Sequence, residues 1–409
     1  MADATRQLAR CAAVLAAAPS DLGAWLDVGL ALEDAGRAGE AASAIAELGR
    51  AASELGQVAL AVACARWLDE RDGDAARELT DRIARTHCAE SDRIDRSSRP
   101  RPPAPPREAP SAASRPDPAN LDEAVAAAKD AVERAVRAAR ERAGDRLPPT
   151  PLLSVLGAQD IRALIGVTQL SMRVPGDVIL DLGQPAESLY WLARGAALVT
   201  RGDEVLGELR AGAFFGEIAL LAGTTRTATV TCTSPCWLLE VPAEAVERLA
   251  TAAPRLATVL AEYARARLLA NLMRTSELFS RLSDDERRTV LRRFEPHIAR
   301  AGDAIVREGA DNDRMHVIVS GRCEVRADDE LLSELTVGDA FGEASLLRRA
   351  PASADVVAVE HTVTLSLSRE QFDDVAVAHP ELLAEVYKLL VERERQNASI
   401  AHDASDLIL

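Results

Sequence analysis

The sequence predicts an α+β multidomain protein: an N-terminal helical, repeat-like module, then two β-roll (jelly-roll) domains, each with flanking helices. Three observations carry that prediction. Residues 1–95 are rich in Ala and Leu at helical spacing, and a proline-dense stretch follows them, with eight prolines from Pro100 to Pro118. Beyond it the chain repeats itself: Phe215-Gly216-Glu217 recurs 126 residues later as Phe341-Gly342-Glu343. Within each copy, short runs of alternating apolar residues are separated by single glycines, the pattern of short antiparallel strands joined by tight turns.

A chain of 409 residues has room for about two to four domains. Lys and Arg total 48 against 64 Asp and Glu, a formal charge of −16. A surface that acidic repels phosphate backbones, which argues against a nucleic-acid binder and a polybasic membrane anchor but leaves room for one small anion in a local pocket. Hydrophobic residues make up 48% and aromatics only 3%, so the cores draw on Ala, Leu and Val. Of six cysteines only Cys232 and Cys236 lie close together, and no partner pair stands at zinc-ligand spacing, so no metal site is expected. Scattered thiols fit a reducing cytoplasm better than a disulfide framework. No run of about 18 apolar residues offers a membrane span. Arg6 and Arg10 beside the short run Cys11 to Ala18 read as a first helix rather than a signal peptide, and the expected location is the cytoplasm.

In the module at 1–95, Trp25-Leu26-Asp27-Val28-Gly29 continues to Leu32, Gly36, Arg37, Glu40-Ala41, Ile45 and Leu48. Small residues at these intervals let two helices pack closely, and the pattern resembles one tetratricopeptide repeat, with a weaker second unit from Leu60 to Ile83. Helical repeats need neighbours to bury their faces, so the resemblance implies a protein partner for this module. Residues 96–119 form a Pro-rich linker, too poor in backbone donors for helix or sheet. Asn120 is a helix N-cap with Glu123 as its capping-box partner. It opens a connecting segment, 120–146, helical to about Arg142 and ended by Gly144 and the Pro148–Pro149 pair. Leu121, Val125, Ala128, Val132, Ala135 and Ala139 form one apolar stripe, expected to pack on the domain that follows, with a dimerising coiled coil as the alternative. At about 3 Å per residue the linker is expected to let the module sit tens of ångströms from the rolls. Coupling is then expected through apolar docking that a ligand releases.

The same 126-residue offset relates Gly176-Asp177 to Gly302-Asp303, Gly183 to Gly309, Gly195 to Gly321 and Gly212 to Gly338, with Leu152 matching Leu278 upstream. An unbroken register from about 152 to 230 means two copies of one domain, expected at 147–273 and 274–395 with a tail at 396–409. Each copy ends in an apolar-striped helix, opened by Pro254 and running to Leu269 in the first and opened by Pro380 and running to Val391 in the second.

The stretch Phe215-Gly-Glu-Ile-Ala-Leu-Leu-Ala-Gly-Thr-Thr-Arg226-Thr-Ala-Thr-Val230 resembles the phosphate-binding cassette of cyclic-nucleotide-binding domains. Such domains occur in catabolite activator proteins, protein kinase regulatory subunits and nucleotide-gated channels, and the resemblance covers roughly 150–395. The resemblance implies that Gly216, Glu217, Ile218, Ala219, Arg226 and Thr227 hold cyclic AMP or cyclic GMP. The chemistry agrees. Gly216 lets backbone approach a ligand, and Ile218 and Ala219 offer N–H groups to a cyclic phosphate. Arg226 presents a planar fork to phosphate oxygens, while Glu217, an acceptor, suits the ribose 2′-hydroxyl. Thr227 resembles the residue of cyclic-GMP-preferring sites, although cyclic-AMP sites also carry Thr there. The bland alternative is that Glu217 and Arg226 pair with each other inside a β-roll.

The second copy departs from the pattern. Gly342 and Glu343 remain, Ala344 follows, Ser345 replaces the alanine, and the arginine becomes Ala352. Arg348 and Arg349 lie on the cassette loop, where a solvated face is the expected role and substitution for the lost phosphate fork is the alternative. A charged hydrogen bond contributes roughly 1.5–3 kcal/mol, so this copy is expected to bind about 10- to 100-fold more weakly or not at all.

No P-loop, kinase catalytic loop, nucleophile elbow or paired metal-ligand motif appears, and no enzyme is expected. After the helix ending near Arg395 only 14 residues remain, too few for a helix-turn-helix. The expectation is a cyclic-nucleotide-responsive regulatory adaptor with no cofactor beyond its ligand. It would act on a protein partner and on neither nucleic acid nor membrane, with a homodimer left open. The alternative is a scaffold whose rolls bind no nucleotide.

Overall fold

The alanine-rich N-terminal sequence makes five helices: α1 (Ala2–Ala17), α2 (Leu22–Asp34), α3 (Ala38–Glu54), α4 (Val58–Leu68) and α5 (Gly73–His87). Asp21 caps α2 by accepting from the Gly23 and Ala24 amides, and Asp72 caps α5 by accepting from Ala75. At Gly29 a Cβ would lie 2.4 Å from Ile45 Cδ1, so the contact of α2 with α3 requires glycine there. α4 is buried along its whole length except at Arg66, as a helix apolar on every side must be. The computed structural model describes residues 2–97, 120–150, 152–222, 225–262, 282–283, 286, 289–290, 293–328 and 330–392. Most of the Pro-rich linker, the end of the expected Pro254–Leu269 helix, Leu278 and the tail therefore lie outside the described residues.

Two expectations about the connection are corrected. α6 (Leu121–Arg142), capped by Asn120 accepting from the Glu123 amide, packs back on α1, α2 and α3 rather than on the domain that follows. Its buried stripe is almost entirely alanine (Ala124, Ala128, Ala131, Ala135, Ala139), which lets it approach the equally small-residued α1 closely. Nor does the linker hold the module at a distance. Its flanks are tied together: the Leu147 amide donates to Arg93 O at 2.7 Å and the Asp95 amide to Leu147 O at 2.8 Å.

The first roll follows α7 (Ala158–Val167). Its strands are β1 (Gln169–Arg173), β2 (Val178–Leu180), β3 (Ser188–Arg194), β4 (Ala196–Arg201), β5 (Glu204–Arg210), β6 (Phe214–Phe215), β7 (Thr229–Cys232) and β8 (Cys236–Pro242). They form two antiparallel sheets in the orders β1-β8-β3-β6 and β2-β7-β4-β5. α8 (Glu217–Ala222) lies between β6 and β7, and α9 (Ala243–Ala252) follows β8. The second roll repeats this with β9 (Glu295–Ala299), β10 (Ala304–Val306), β11 (Arg314–Ser320), β12 (Cys323–Ala327), β13 (Glu330–Leu335), β14 (Ala340–Phe341), α10 (Glu343–Arg348), β15 (Asp355–Ala358), β16 (Thr362–Ser368) and α11 (Arg369–Ala378). Its sheets run β9-β16-β11-β14 and β10-β15-β12-β13, strand for strand the topology of the first.

Alternation along β3 and β8 decides how the parts assemble. Leu192, Cys236 and Leu238 point into the first roll with Phe215 and Val230. Leu189, Trp191, Trp237, Leu239 and Val241 point the other way, into one continuous core with the N-terminal helices, α7 and α9. Trp191 stacks on Phe214 at 4.4 Å and donates its indole N–H to Gly212 O at 3.1 Å. Arg194 pairs with Asp27 at 2.6 Å, and Arg162 with Asp81, across the same seam. The second roll fills its own outer face with Phe294, Phe372, Leu382 and Val386.

Because the module and the first roll share a core, they are expected to unfold as one unit, separately from the second roll. Trp191→Ala should destabilise that unit by about 3–5 kcal/mol and leave the second roll's transition in place. Calorimetry of the full chain checks this, and a variant that moved only the roll and not the helical module would contradict it.

Candidate functional site

The turn from β6 into α8 is built around Gly216. Its φ of +86° lies in the left-handed region, and a Cβ there would meet Arg226 Nη1 at 2.8 Å and Ser188 O at 3.3 Å. Glycine is therefore required twice, for its backbone angle and for its size. Glu217 opens α8 and is only 1% exposed; Ala219 is buried two residues later, and the Ile218 backbone lies between them. Arg226 reaches this turn from the segment before β7. Its own backbone is anchored to the loop after β2, the Arg226 amide donating to Gln184 O at 2.7 Å and the Gly183 amide to Arg226 O at 2.9 Å.

The Arg226 side chain is 5% exposed. Nη1 donates to Gly216 O at 2.9 Å and Nη2 to Ser188 O at 2.8 Å, two of the five donors a guanidinium carries. Its Cζ lies 5.8 Å from the centre of the Tyr190 ring, which itself stacks on Phe215 at 5.4 Å. The Tyr190 and Ser188 hydroxyls both donate to Glu240 Oε1, at 3.2 and 2.6 Å. Burial draws the Arg226 pKa below the ordinary guanidinium value and pushes the Tyr190 hydroxyl up, Glu240 adding to the latter. Tyr190, Glu240, Glu217 and Glu187 act on Arg226 in the opposite direction to burial. Glu217 and Arg226 are thus near enough to act on each other electrostatically, as the alternative reading expects. Thr227 follows at a half-buried bend, its carbonyl accepting from Arg201 Nε at 3.2 Å.

The second roll keeps the turn and replaces its contents. Gly342 has a φ of +82°, Glu343 and Ser345 are buried and Ala344 half-buried, and Ala352 is buried where the arginine would stand. The carbonyls equivalent to Gly216 O and Ser188 O are Gly342 O and Arg314 O, and Asn312 Nδ2 donates to both, at 3.3 and 2.7 Å. Arg369 fixes the far end of the turn, Nη1 donating to Leu346 O at 2.8 Å and Nη2 to Ser345 O at 3.3 Å. The first roll has Ala186 and Ala243 at these two positions. Arg348 and Arg349 are exposed, and Arg349 faces Asp373 at 4.0 Å. Sequence reading missed Asn312 and Arg369; the signal was there in the same offset, as two alanines exchanged for hydrogen-bonding side chains beside the motif. His316 takes the place of Tyr190, stacked on Phe341 at 4.9 Å, with Nδ1 3.0 Å from Thr364 Oγ1.

Residues 174–253 and 296–379 each match the family model of the cyclic nucleotide-binding domain. The chain carries tandem cyclic-nucleotide-binding domains. It is 28% identical over 236 residues to a cGMP-dependent protein kinase of Toxoplasma gondii, a match covering 56% of this chain and 22% of that protein. It is 28% identical over 205 residues to a cAMP-dependent protein kinase regulatory subunit of Debaryomyces hansenii, covering 48% of this chain and 42% of that one. These tandem domains thus span less than half the length of the curated relatives they match. The regulatory domain of Toxoplasma gondii PKA, solved with cAMP, superposes on 60% of this chain and 92% of its own at 22% identity, with a TM-score of 0.28. Among the described residues no helix is long and apolar enough to cross a membrane.

The second domain carries a pH dependence at its Tyr190 equivalent. Burial, with His297 and Arg314 adding to it, lowers the His316 pKa from 6.5 to about 3. Between those values the unfolded chain binds a proton that the folded domain does not, so stability is fully present above pH 6.5 and lost as pH falls toward 3. His316→Tyr, which installs the first domain's residue, should flatten that slope. Denaturant midpoints on either side of pH 6.5 measure it, and an unchanged slope would assign the acid sensitivity elsewhere.

Proposed function

We propose that the first domain binds a purine cyclic mononucleotide, cyclic AMP or cyclic GMP, and that the chain is a regulatory adaptor rather than an enzyme. The observation that carries this reading is the buried Arg226 guanidinium. A cation taken out of water is costly, and a phosphate diester beside it would offset that cost while using its remaining donors. Gly216 keeps the backbone low enough for a ligand to approach, and the Ile218 and Ala219 amides are the further donors of the phosphate site. Glu217 would take the ribose 2′-hydroxyl, and Thr227 is the residue at which the resemblance puts discrimination between the bases. The kinases that this chain resembles are named for both nucleotides, and competition between the two in one titration decides which is preferred.

The relay we infer runs through the shared core. α9 and residues 254–262 follow the first domain's last strand, and both pack in the cluster that also holds α4. A ligand that favours one placement of these helices shifts the population of the whole seam, and the module presents the outcome to a protein partner. The scaffold alternative describes the second domain better than the first. There a neutral amide satisfies the two carbonyls, and nothing calls for an anion.

Arg226→Ala should weaken nucleotide binding about 10- to 100-fold by calorimetric titration, and an unchanged affinity would remove the phosphate assignment. Glu217→Gln should weaken cyclic nucleotides far more than their 2′-deoxy analogues.

In the second domain, Ala352→Arg alone should give no binding, because Asn312 already holds the two carbonyls the guanidinium needs. Combining it with Asn312→Ala should restore a measurable affinity. Binding by the single variant, or native binding equal to that of the first domain, would show that the pocket is not closed.

A further inference from the structure

Beside the second domain three segments meet at Glu286, His379 and Glu381. Glu286 precedes the β-roll, His379 follows the last residue of α11, and Glu381 lies in the helix over 380–392. We propose that these three side chains form a Zn²⁺ site that ties the segment before the second β-roll to the helices after it. The proposal is independent of nucleotide binding. It also uses no cysteine, which is why cysteine spacing gave no hint of it.

The distances are the first argument. His379 Nδ1 lies 3.6 Å from Glu381 Oε1 and 3.9 Å from Glu286 Oε1, and the three ligand atoms are all within 4.8 Å of one another. Nδ1 is buried and makes no hydrogen bond among the described residues. A protonated imidazole pairing with carboxylates draws them in to about 2.7–2.9 Å. Ligand atoms held about 2.0–2.2 Å from a tetrahedral zinc ion stand about 3.4 Å apart, close to the separations seen here. The arrangement thus has the spacing of groups facing a common ion more than that of groups bonded to each other.

Orientation and chemistry agree with it. The Glu286 carboxylate is held by its other oxygen, Oε2 accepting from the Ser283 amide at 2.9 Å and the Ser283 hydroxyl at 2.6 Å, which leaves Oε1 toward His379. The His379 backbone is fixed by its amide donating to Val375 O at 2.8 Å. The side chain of His379 is 13% exposed and those of Glu286 and Glu381 43% and 35%, so the cluster is sheltered yet open to an ion from solvent. One imidazole and two carboxylates suit Zn²⁺ better than Mg²⁺ or Ca²⁺, which favour all-oxygen sites, and three protein ligands leave a fourth position for water. The fold itself does not require these residues: the first domain has Asp160, Ala253 and Arg255 at the matching positions, and Arg255 would repel a cation.

The test is titration of the full chain with ZnCl₂ in a non-chelating buffer, followed by calorimetry and thermal melting. One ion should bind per chain and raise the second domain's transition while leaving the first domain's in place. Co²⁺ should give the visible absorption of a tetrahedral site, and Mg²⁺ should give no shift. His379→Ala installs the first domain's residue, and Glu381→Gln changes one exposed oxygen, so at least one variant is expected to keep the fold. Each should weaken Zn²⁺ by more than the roughly 10- to 100-fold that losing an outer-shell partner costs. Absence of zinc binding, a shift confined to the first domain, or full affinity in both variants would overturn the proposal.

Discussion

A strand whose side chains alternate has two faces, and in the β1-β8-β3-β6 sheet both are apolar. The inner face closes the first roll; the outer one, led by Leu189, Trp191, Leu239 and Val241, needs a cover. Everything about the N-terminal half follows from what supplies it. α4 is apolar on every side because it is packed both by its own module and by this sheet. The second roll meets the same requirement locally, with Phe294, Phe372 and Val386 from its own flanking segments. One duplicated fold thus has two solutions to one problem, and only the first makes a foreign module part of its core.

The two cassette turns show the same division at the scale of single hydrogen bonds. Gly216 and Gly342 adopt nearly the same φ, +86° and +82°, and each turn leaves a pair of carbonyls to be satisfied. Arg226 does this with a buried charge, Asn312 with a neutral amide. The neutral solution is complete in itself. The charged one carries donors beyond those the carbonyls use, in a place where burial already disfavours the cation.

Much of this was legible in the sequence because it is written in backbone requirements. The 126-residue offset survives as strand-for-strand topology and reaches α11, beyond the last residue pair that the motif itself marked. The glycines that punctuate both copies, from Gly176 with Gly302 to Gly212 with Gly338, all have positive φ, so their spacing recorded turns directly. Asn312 and Arg369 escaped notice because they lie outside the motif and touch it only through its carbonyls. The placement of α6 escaped for another reason: a stripe of alanines marks a helix that packs closely, and says nothing of which neighbour it packs on. Proline content likewise says nothing of where the chain on either side meets, which the pairing of Arg93 and Asp95 with Leu147 decides.

Magnitudes then limit how a ligand in the first domain can reach the module. Release of the docked helices would expose Leu189, Trp191, Leu239 and Val241 on one side alone, all now buried. At about 1.5–3 kcal/mol for each such side chain, that is on the order of 6–12 kcal/mol before the covering face of α4 is counted. Coupling between two sites in one protein is typically about 1–3 kcal/mol, which falls short of what detaching the module would cost. It can repack the seam. Val62, Leu153, Ile165, Trp191 and Leu256 already border a cavity of about 30 Å³ where α4, α7, the sheet and residues 254–262 come together. Small displacements of packed helices are therefore the size of change that the shared core permits at coupling energies of that order.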